Sequence, residues 1–353
     1  MHVPPFPQNF RDVFALFRFY REELGVQALL TDIDVDGLTA RDVYRACHGR
    51  EPENESAASS HERHTIPDLF ERAIRSFEFQ NNLVERFIAA YPEKRCLSFV
   101  HVPKSAGSDL STHLITRYPS LRTTIIDPGL TGRRAFYQSL KELALEASVS
   151  DSIYIHGHNE LKTYVKWGVA RPQDHVFTTI RDPVSLTVSQ VNYVLTRMRS
   201  VADPLPHDTA GWRKLFGVDD PEMLDSPQEV QRLAHRILRD PGVVPPDNTC
   251  HFLGHGDRDS AIEAMIEYNV EITDLRRYTA WLKERWEVRH LTRMNASKPF
   301  MRLEDFAAED TDYIHETTRH DKALYEHIAG RLDDTGATSL RGREIAAPVY
   351  AAA

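Results

Sequence analysis

The stretch Leu97-Ser-Phe-Val-His-Val-Pro-Lys-Ser-Ala-Gly-Ser-Asp-Leu110 carries the clearest indication of the fold class. Its apolar part predicts a buried strand over Leu97–Val102, followed by a loop of small residues that leads into a helix. Small side chains allow several backbone N–H groups to point at one spot, and the helix N-terminus adds positive potential there. Lys104 brings a full positive charge to the same place. The stretch is therefore typical of an anion-binding unit; the alternative is a structural corner that carries a surface lysine.

Short apolar runs alternate with helical stretches after this point. Further strands are predicted over Thr123–Ile126, Ser152–His156, Val176–Ile180 and Val270–Thr273. Helices are predicted over Asp109–Arg117, Arg133–Ala147, Glu160–Trp167, Val184–Met198, Asp259–Tyr268, Asp274–Trp286 and, as the last one, Asp312–Leu332. This alternation predicts an α/β domain over residues 95–334 with a central parallel sheet flanked by helices.

The rest of the chain has other patterns. Residues 1–94 predict a helical N-terminal extension, with a polar linker near residues 51–64. Its predicted helices cover Phe10–Leu24, Leu38–Cys47 and Ile66–Tyr91. Residues 203–247 are rich in proline and acidic residues and predict an insertion with some helix. Residues 335–353 are small and polar and predict a disordered tail.

A second strand-to-helix junction carries an arginine. In His175-Val-Phe-Thr-Thr-Ile-Arg-Asp-Pro183, Arg181 follows a buried strand, at the carboxyl end where open α/β sheets bind ligands. Asp182 is suited to cap the next helix, and Pro183 suits its first turn. Ser189 shares a helical face with Ser185 and Asn192, so that Arg181 and Ser189 are suited to hold a phosphate. The alternative is a structural ion pair between Arg181 and Asp182.

A third junction ends in two histidines. Ser152-Ile-Tyr-Ile-His-Gly-His158 is a predicted strand that ends in two histidines, His156 and His158. An imidazole with an ordinary pKa of ~6.5 is suited to accept a proton near neutral pH. The alternatives are half of a metal site and two incidental surface histidines. We expect no metal, because Glu160 is the only further ligand nearby and no cysteine accompanies it.

Together, these junctions resemble the PAPS-dependent sulfotransferases (PAPS is 3′-phosphoadenosine 5′-phosphosulfate), most closely the branch that contains heparan sulfate 2-O-sulfotransferase. Pro103-Lys-Ser-Ala-Gly-Ser-Asp109 is similar to the family's Pro-Lys-Thr-x-x-Thr-Ser, and Arg181-Asp-Pro183 with Ser189 to its later Arg-Asp-Pro and serine. The resemblance runs from residue 97 to residue 330. Its downstream motifs are Asn248–Gly254, Val270–Asp274 and Asp321–Tyr325.

The resemblance implies a P-loop-like three-layer domain that uses PAPS and releases adenosine 3′,5′-bisphosphate. It implies that the 5′-phosphosulfate is held by Lys104, Ser105, Ala106, Gly107 and Ser108, and the 3′-phosphate by Arg181 and Ser189. His158 matches the family's general base, and His156 would orient the acceptor or support the site. Asp109 stands where the family has serine or threonine; we leave it out of the site and expect it to cap the helix or point to solvent.

Composition and charge restrict the classes of partner and the cellular compartment that we expect. The chain has 353 residues and a net charge of −9, which opposes nucleic acid and weighs against a polyanionic acceptor. A glycan, a glycolipid or a small hydroxylated molecule is therefore expected. No apolar stretch long enough for a membrane span and no signal-peptide pattern occurs, and three scattered cysteines predict no disulfide framework. These features predict a cytoplasmic protein; the oligomeric state stays open.

Two other functions remain open. A P-loop nucleotide kinase would need Gly-x-x-x-x-Gly-Lys, which the first stretch lacks. A non-catalytic relative that binds a nucleotide or a glycan is the other possibility, which Asp109 keeps open.

Asp32-Ile-Asp-Val-Asp-Gly37 is similar to a calcium loop, but its twelfth position is Val43 instead of glutamate. His61-Glu-Arg-His64 lacks the spacing of a zinc motif.

Overall fold

The computed structural model describes residues 39–48, 50–54, 65, 68–69, 72–73, 76–89, 91–118, 124–125, 152–200, 206–288, 299–334 and 336–341. The helices predicted over Phe10–Leu24 and Arg133–Ala147 lie outside these residues, as does most of the predicted linker. Among the described residues, no helix is long and apolar enough to cross a membrane.

In the described part of the chain, the strands are β1 (Arg95–Val100), β2 (Thr124–Ile125), β3 (Ser152–Gly157), β4 (His175–Ile180), β5 (Glu271–Asp274) and β6 (Ala337–Ser339). They are hydrogen-bonded in the order β2-β3-β1-β4-β5-β6. β2 is parallel to β3 and β4 is parallel to β5, whereas β6 is antiparallel to β5. The predicted α/β class with a mostly parallel sheet flanked by helices is therefore confirmed.

The α-helices that the structure describes are α1 (Ala40–His48), α2 (Phe77–Ala89), α3 (Gly107–Arg117), α4 (Leu161–Lys166), α5 (Pro183–Arg199), α6 (Pro206–Phe216), α7 (Pro227–Leu238), α8 (Asn248–Leu253), α9 (Arg258–Glu267), α10 (Tyr278–Trp286), α11 (Ala308–Thr317) and α12 (Arg319–Ala329). Two 3₁₀ turns cover Pro221–Asp225 and Leu303–Asp305. The insertion predicted near residues 203–247 is built of α6, the first of these turns and α7, as its pattern indicates.

The described residues form two compact units. The first contains those up to Phe99 and those from Tyr118 to Val176; the second contains Val100 to Arg117 and those from Phe177 onward. The chain thus passes from one unit to the other inside β1 and inside β4. The boundary predicted after residue 94 does not coincide with this division, because most of β1 belongs to the first unit.

A partly buried arginine–carboxylate pair organises the first unit at the start of β1. Arg171 pairs with Asp174 at 2.8 Å and donates to the backbone oxygens of Pro92 and Lys94. Asp174 also accepts a hydrogen bond from the Cys96 N–H at 2.8 Å. Because these bonds satisfy the Asp174 carboxylate and several otherwise unpaired carbonyl groups, they fix the entry of the chain into β1.

The core of the second unit lies between α5 and the helices of the insertion. Its buried side chains include Val191, Val194, Leu195, Met198, Leu233, Ala234, Ile237 and Ile314. Asp182 begins α5 as predicted, since its Oδ1 accepts the Ser185 N–H at 2.8 Å and Pro183 occupies the first turn. The cap and the apolar face together fix α5, which carries Ser189.

Two predictions about the C-terminal region are wrong. The last helix is not continuous, because α11 ends at Thr317 and α12 begins at Arg319. Asp247 causes the break: its Oδ1 accepts the N–H groups of His320 and Asp321, a long-range cap that no local pattern reveals. The tail is not wholly disordered, because Ala337–Ser339 form β6 and pair with the backbone of β5.

Candidate functional site

The loop between β1 and α3 has a strained backbone. Lys104 and Ala106 have φ values of 65° and 68°, in the left-handed region that favours glycine. Ser105 lies between them and is fully buried; its Oγ donates to the Val102 oxygen at 2.6 Å. The Thr179 hydroxyl of β4 donates to the Ser105 oxygen at 2.7 Å. These bonds hold the loop in its strained form from within the second unit.

Ser105 therefore shapes the loop, which changes its predicted part in phosphate binding. Its hydroxyl is committed to Val102 and lies 3.0 Å from the Thr179 hydroxyl, and its N–H donates to the Val102 oxygen at 3.3 Å. The first N–H groups of a helix have no partner inside that helix. At the start of α3, the N–H groups of Gly107 and Ser108 are accordingly the better candidates for contact with an anion.

The ring of His101, which was not among the predicted site residues, makes glycine necessary at position 107. A Cβ atom added at Gly107 would lie 2.0 Å from Nε2 of His101. His101 follows β1 and is buried, with its ring directly against the start of α3. Any larger residue at position 107 would have to displace this ring. The glycine allows α3 to begin close to the end of β1.

Lys104 extends from the loop to an aromatic ring. Its Nζ lies 4.1 Å from the centroid of the Tyr193 ring on α5, within the range of a cation–π interaction. The pKa of Lys104 is lowered to about 8, first by burial and then by the positive charge of Arg181. A lysine that is partly desolvated and close to another cation has an increased electrostatic tendency to attract an anion.

Arg181 joins the second predicted stretch to the first. Its Nη1 donates to the backbone oxygen of Lys104 at 3.1 Å. Asp182 uses its carboxylate as the cap of α5, so the aspartate has a structural role of its own. The structure thus brings Lys104 and Arg181 together in the second unit, at the carboxyl ends of β1 and β4.

Three further residues of the predicted stretches differ in their burial and in their hydrogen bonds. Ser189 is half-buried on α5, two turns after Arg181. Asn192 does not belong with it as a phosphate ligand, because its amide is bonded to the backbone N–H and oxygen of Met301 at 2.9 and 2.8 Å. Asp109 is buried in the first turn of α3, so the expectation that it points to solvent is wrong.

His156 and His158 belong to the first unit. His156 is 8% exposed, and neither ring nitrogen has a hydrogen-bond partner among the described residues. Its ring stacks on Tyr154 with 5.4 Å between centroids. Burial lowers the pKa of His156 to about 3, with a further contribution from His158. His156 is therefore a neutral imidazole at ordinary pH, whereas His158 is only half-buried.

The downstream motifs contact one another inside the second unit. Asp321 accepts the N–H groups of Thr249 and Cys250 at 2.9 and 2.7 Å and so caps α8. Burial raises the pKa of Asp321, and these two bonds oppose that effect. Tyr325 donates its hydroxyl to Asp274 at the end of β5, at 2.5 Å. Residues 248–254, 270–274 and 321–325 thus form one hydrogen-bonded set, with a structural role that the sequence did not reveal.

One cluster has the composition of a metal site. His235, Glu309 and Asp310 have potential ligand atoms within 4.8 Å of one another. However, the Arg239 guanidinium donates to Asp310 Oδ1 and lies 2.8 Å from Nδ1 of His235. A positive charge already in contact with both groups opposes a metal cation. The cluster is therefore better described as a structural ion network between α7 and α11.

Comparison with known proteins adds no family to this geometry. No protein-family model, no curated protein and no solved structure matches the chain. The contacts that join the two predicted stretches are those of Arg181 with Lys104 and of Thr179 with Ser105.

Proposed function

We propose that this protein is a sulfotransferase that moves a sulfuryl group from PAPS to an acceptor hydroxyl. The observation that carries the proposal is the meeting of the two anion-binding stretches. Arg181 donates to the Lys104 oxygen, and Thr179 donates to the Ser105 oxygen. Two cations at the carboxyl ends of β1 and β4 suit a donor that has a phosphosulfate at one end and a 3′-phosphate at the other.

The reaction is an in-line displacement at sulfur. The acceptor oxygen forms a bond to sulfur while the bond between sulfur and the bridging oxygen of the 5′-phosphate breaks, and adenosine 3′,5′-bisphosphate leaves. Lys104 stabilises the negative charge that develops on that bridging oxygen. The N–H groups of Gly107 and Ser108 hold the 5′-phosphate, and Arg181 with Ser189 holds the 3′-phosphate.

The base is assigned to His158, following the resemblance. It accepts the proton that the acceptor hydroxyl loses as the new bond forms. His156 is unsuited to this step because its lowered pKa, about 3, makes it a poor proton acceptor near neutral pH. A supporting role in which it stays neutral is consistent with its buried ring nitrogens.

Binding of adenosine 3′,5′-bisphosphate tests the donor assignment. Saturation at one hundred times the dissociation constant should stabilise the protein by about 2.7 kcal/mol. Calorimetric titration should show roughly tenfold weaker binding for Ser189→Ala, which loses a hydrogen bond to a charged group. The matched control is Ser185→Ala, because Ser185 is exposed one turn earlier on α5. The absence of binding to folded wild-type protein at millimolar ligand would refute the assignment.

ATP serves as the competing ligand in the same titration. The kinase alternative requires a hydroxyl after the lysine that is available to a magnesium ion, and the Ser105 hydroxyl is committed to Val102. We therefore expect adenosine 3′,5′-bisphosphate to bind more tightly than ATP with magnesium. Tighter binding of ATP would favour the kinase. Binding of the bisphosphate without release of sulfate or transfer from PAPS would favour the non-catalytic relative.

The acceptor and the compartment are part of the same proposal. We expect a neutral or weakly charged glycan, a glycolipid headgroup or a small hydroxylated metabolite, which is sulfated in the cytoplasm. No metal is expected to be needed, because lysine and backbone dipoles suffice for a transferred group of low charge. Activity that is lost with a chelator and restored by one divalent ion would contradict this expectation.

A further inference from the structure

Lys104 is contacted at its backbone by Arg181, just before α5, and at its ammonium by Tyr193, within α5. Its backbone oxygen accepts a hydrogen bond from Arg181, which immediately precedes the cap of α5. Its ammonium lies over the ring of Tyr193, in the middle of α5, at 4.1 Å from the centroid. Because Arg181 leads directly into α5 and Tyr193 lies on α5, both contacts depend on the placement of this helix, which sets the reach and the direction of Lys104 together.

Tyr193 is itself fixed by the insertion. Its ring meets the Trp212 ring of α6 edge to face, with 5.7 Å between centroids and an angle of 80° between planes. Both rings pack against the core between α5, α6 and α7. Edge-to-face pairs are a favoured arrangement of aromatic rings. Trp212, which lies outside the loop between β1 and α3, thus supports the Tyr193 ring that Lys104 contacts.

Burial and a neighbouring cation both disfavour the charged form of Lys104. Burial and Arg181 both lower the pKa of Lys104, to about 8. The Arg197 guanidinium also lies near the Tyr193 ring, 5.9 Å from its centroid. The negative face of an aromatic ring attracts a cation without adding a carboxylate that would repel an anionic donor.

We propose that Tyr193, supported by Trp212, is a positioning residue that seats the Lys104 ammonium for its encounter with an anionic ligand. The ring keeps Lys104 charged and extended in the absence of the ligand. The ammonium then moves from the ring to the developing negative charge. The kinetic part of this proposal rests on the proposed function; the seating of Lys104 does not.

Competitive acylation of lysines followed by peptide mass spectrometry tests the seating without any donor. The Lys104 amine should titrate at a lower pH in Tyr193→Leu, so that its labelling near neutral pH rises roughly threefold to tenfold. Tyr193→Phe keeps the ring and should behave as wild type. The matched control is Tyr313→Leu, which removes a ring that contacts Arg239 instead. If Tyr193→Leu leaves the titration unchanged, or raises its midpoint as removal of a mere cover would, the proposal is wrong.

A fluorinated ring covers the case in which Tyr193→Leu does not fold. Replacement of the Tyr193 side chain by pentafluorophenylalanine preserves the shape of the ring but withdraws electron density from its face. We expect the same increase in Lys104 labelling as for leucine. Labelling equal to that of Tyr193→Phe would show that ring shape alone matters, which would overturn the proposal.

Slow hydrolysis of PAPS, with water as the acceptor, provides the kinetic arm. Tyr193→Leu should lower kcat roughly tenfold and change the binding of adenosine 3′,5′-bisphosphate much less, because Lys104 acts at the leaving oxygen. An unchanged kcat would overturn the kinetic part. If wild-type protein does not consume PAPS at all, the proposed function fails, and the labelling experiment still decides whether Tyr193 seats Lys104.

Discussion

Acidification should destabilise this protein through His156. The pKa of its imidazole falls from an ordinary 6.5 to about 3 in the folded chain, mainly because the ring is buried. Between these two values the unfolded chain binds a proton that the folded chain does not bind. Stability contributed by the neutral ring is therefore complete above about pH 6.5 and declines as the pH falls towards about 3.

The expected loss of stability follows from the difference between the pKa of His156 in the unfolded and in the folded chain. Each unit of pKa difference corresponds to about 1.36 kcal/mol, so a change from about pH 6.5 to about pH 5 should lower the free energy of unfolding by about 2 kcal/mol through this residue alone. The variant His156→Phe retains an aromatic ring against Tyr154 but has no titratable group. It should lack this part of the pH dependence, whatever its stability at neutral pH.

Urea denaturation followed by circular dichroism, at about pH 7.5 and about pH 5, gives the required comparison. The difference between wild type and His156→Phe should change by about 2 kcal/mol between the two pH values. Hydrogen exchange in the β3 peptides localises the effect to the strand that carries His156. His158→Asn is the control for the neighbouring imidazole. If the free energy of unfolding changes equally with pH in wild type and in His156→Phe, His156 is not the cause of the acid sensitivity.

Three further predictions concern the framework of the site. Gly107→Ala should destabilise the protein by several kcal/mol or abolish expression, and the double variant with His101→Ala should recover part of the loss in urea denaturation, since the clash is with that ring. Asp321→Ala should cost about 1–3 kcal/mol by removing the α8 cap, with increased hydrogen exchange in residues 248–253. Glu271→Gln should cost about 1.5–3 kcal/mol in thermal unfolding, because it leaves the partly buried Arg285 guanidinium without the carboxylate charge that pairs with it.

The sequence was sufficient for the main strands of the sheet and for the two strand-to-helix junctions. Alternating apolar runs and helical periods are local signals, and they correctly indicated β1, β3, β4 and β5. The Asp182 cap and the Pro183 first turn were equally local. The observed proximity of Lys104 and Arg181 agrees with a general property of parallel sheets, whose strand ends meet at one edge.

The missed features depend on contacts between residues that are far apart in the chain. The break between α11 and α12 depends on Asp247, and the requirement for Gly107 depends on the ring of His101. The role of Ser105 depends on Thr179, on another strand. Propensity and spacing carry no information about such partners. In another sequence with this pattern, a histidine or an aromatic residue would be the first candidate for a contact with the loop between β1 and α3.

The arginines of the insertion bear on the choice of acceptor. Arg213 donates to the backbone oxygens of Met198 and Ser200, and Arg236 donates to those of Leu215 and Phe216. Arg199, at the end of α5, pairs with Asp225 of the insertion, and Arg239 pairs with Asp310. Arginines that already bind carbonyl groups and carboxylates contribute little to an extended basic groove. The chain as a whole has 52 acidic and 43 basic residues.

We therefore predict that the acceptor is neutral or weakly charged. A sulfated polymer that approaches such a surface meets like charges, and the repulsion grows as the salt concentration falls. The test is competition at low ionic strength between neutral oligosaccharides and desulfated heparin-like chains, with labelled PAPS as donor. We expect label in the neutral acceptor and little change with added salt. Efficient labelling of the polyanion, declining as salt is added, would show that a local basic groove outweighs the net negative charge.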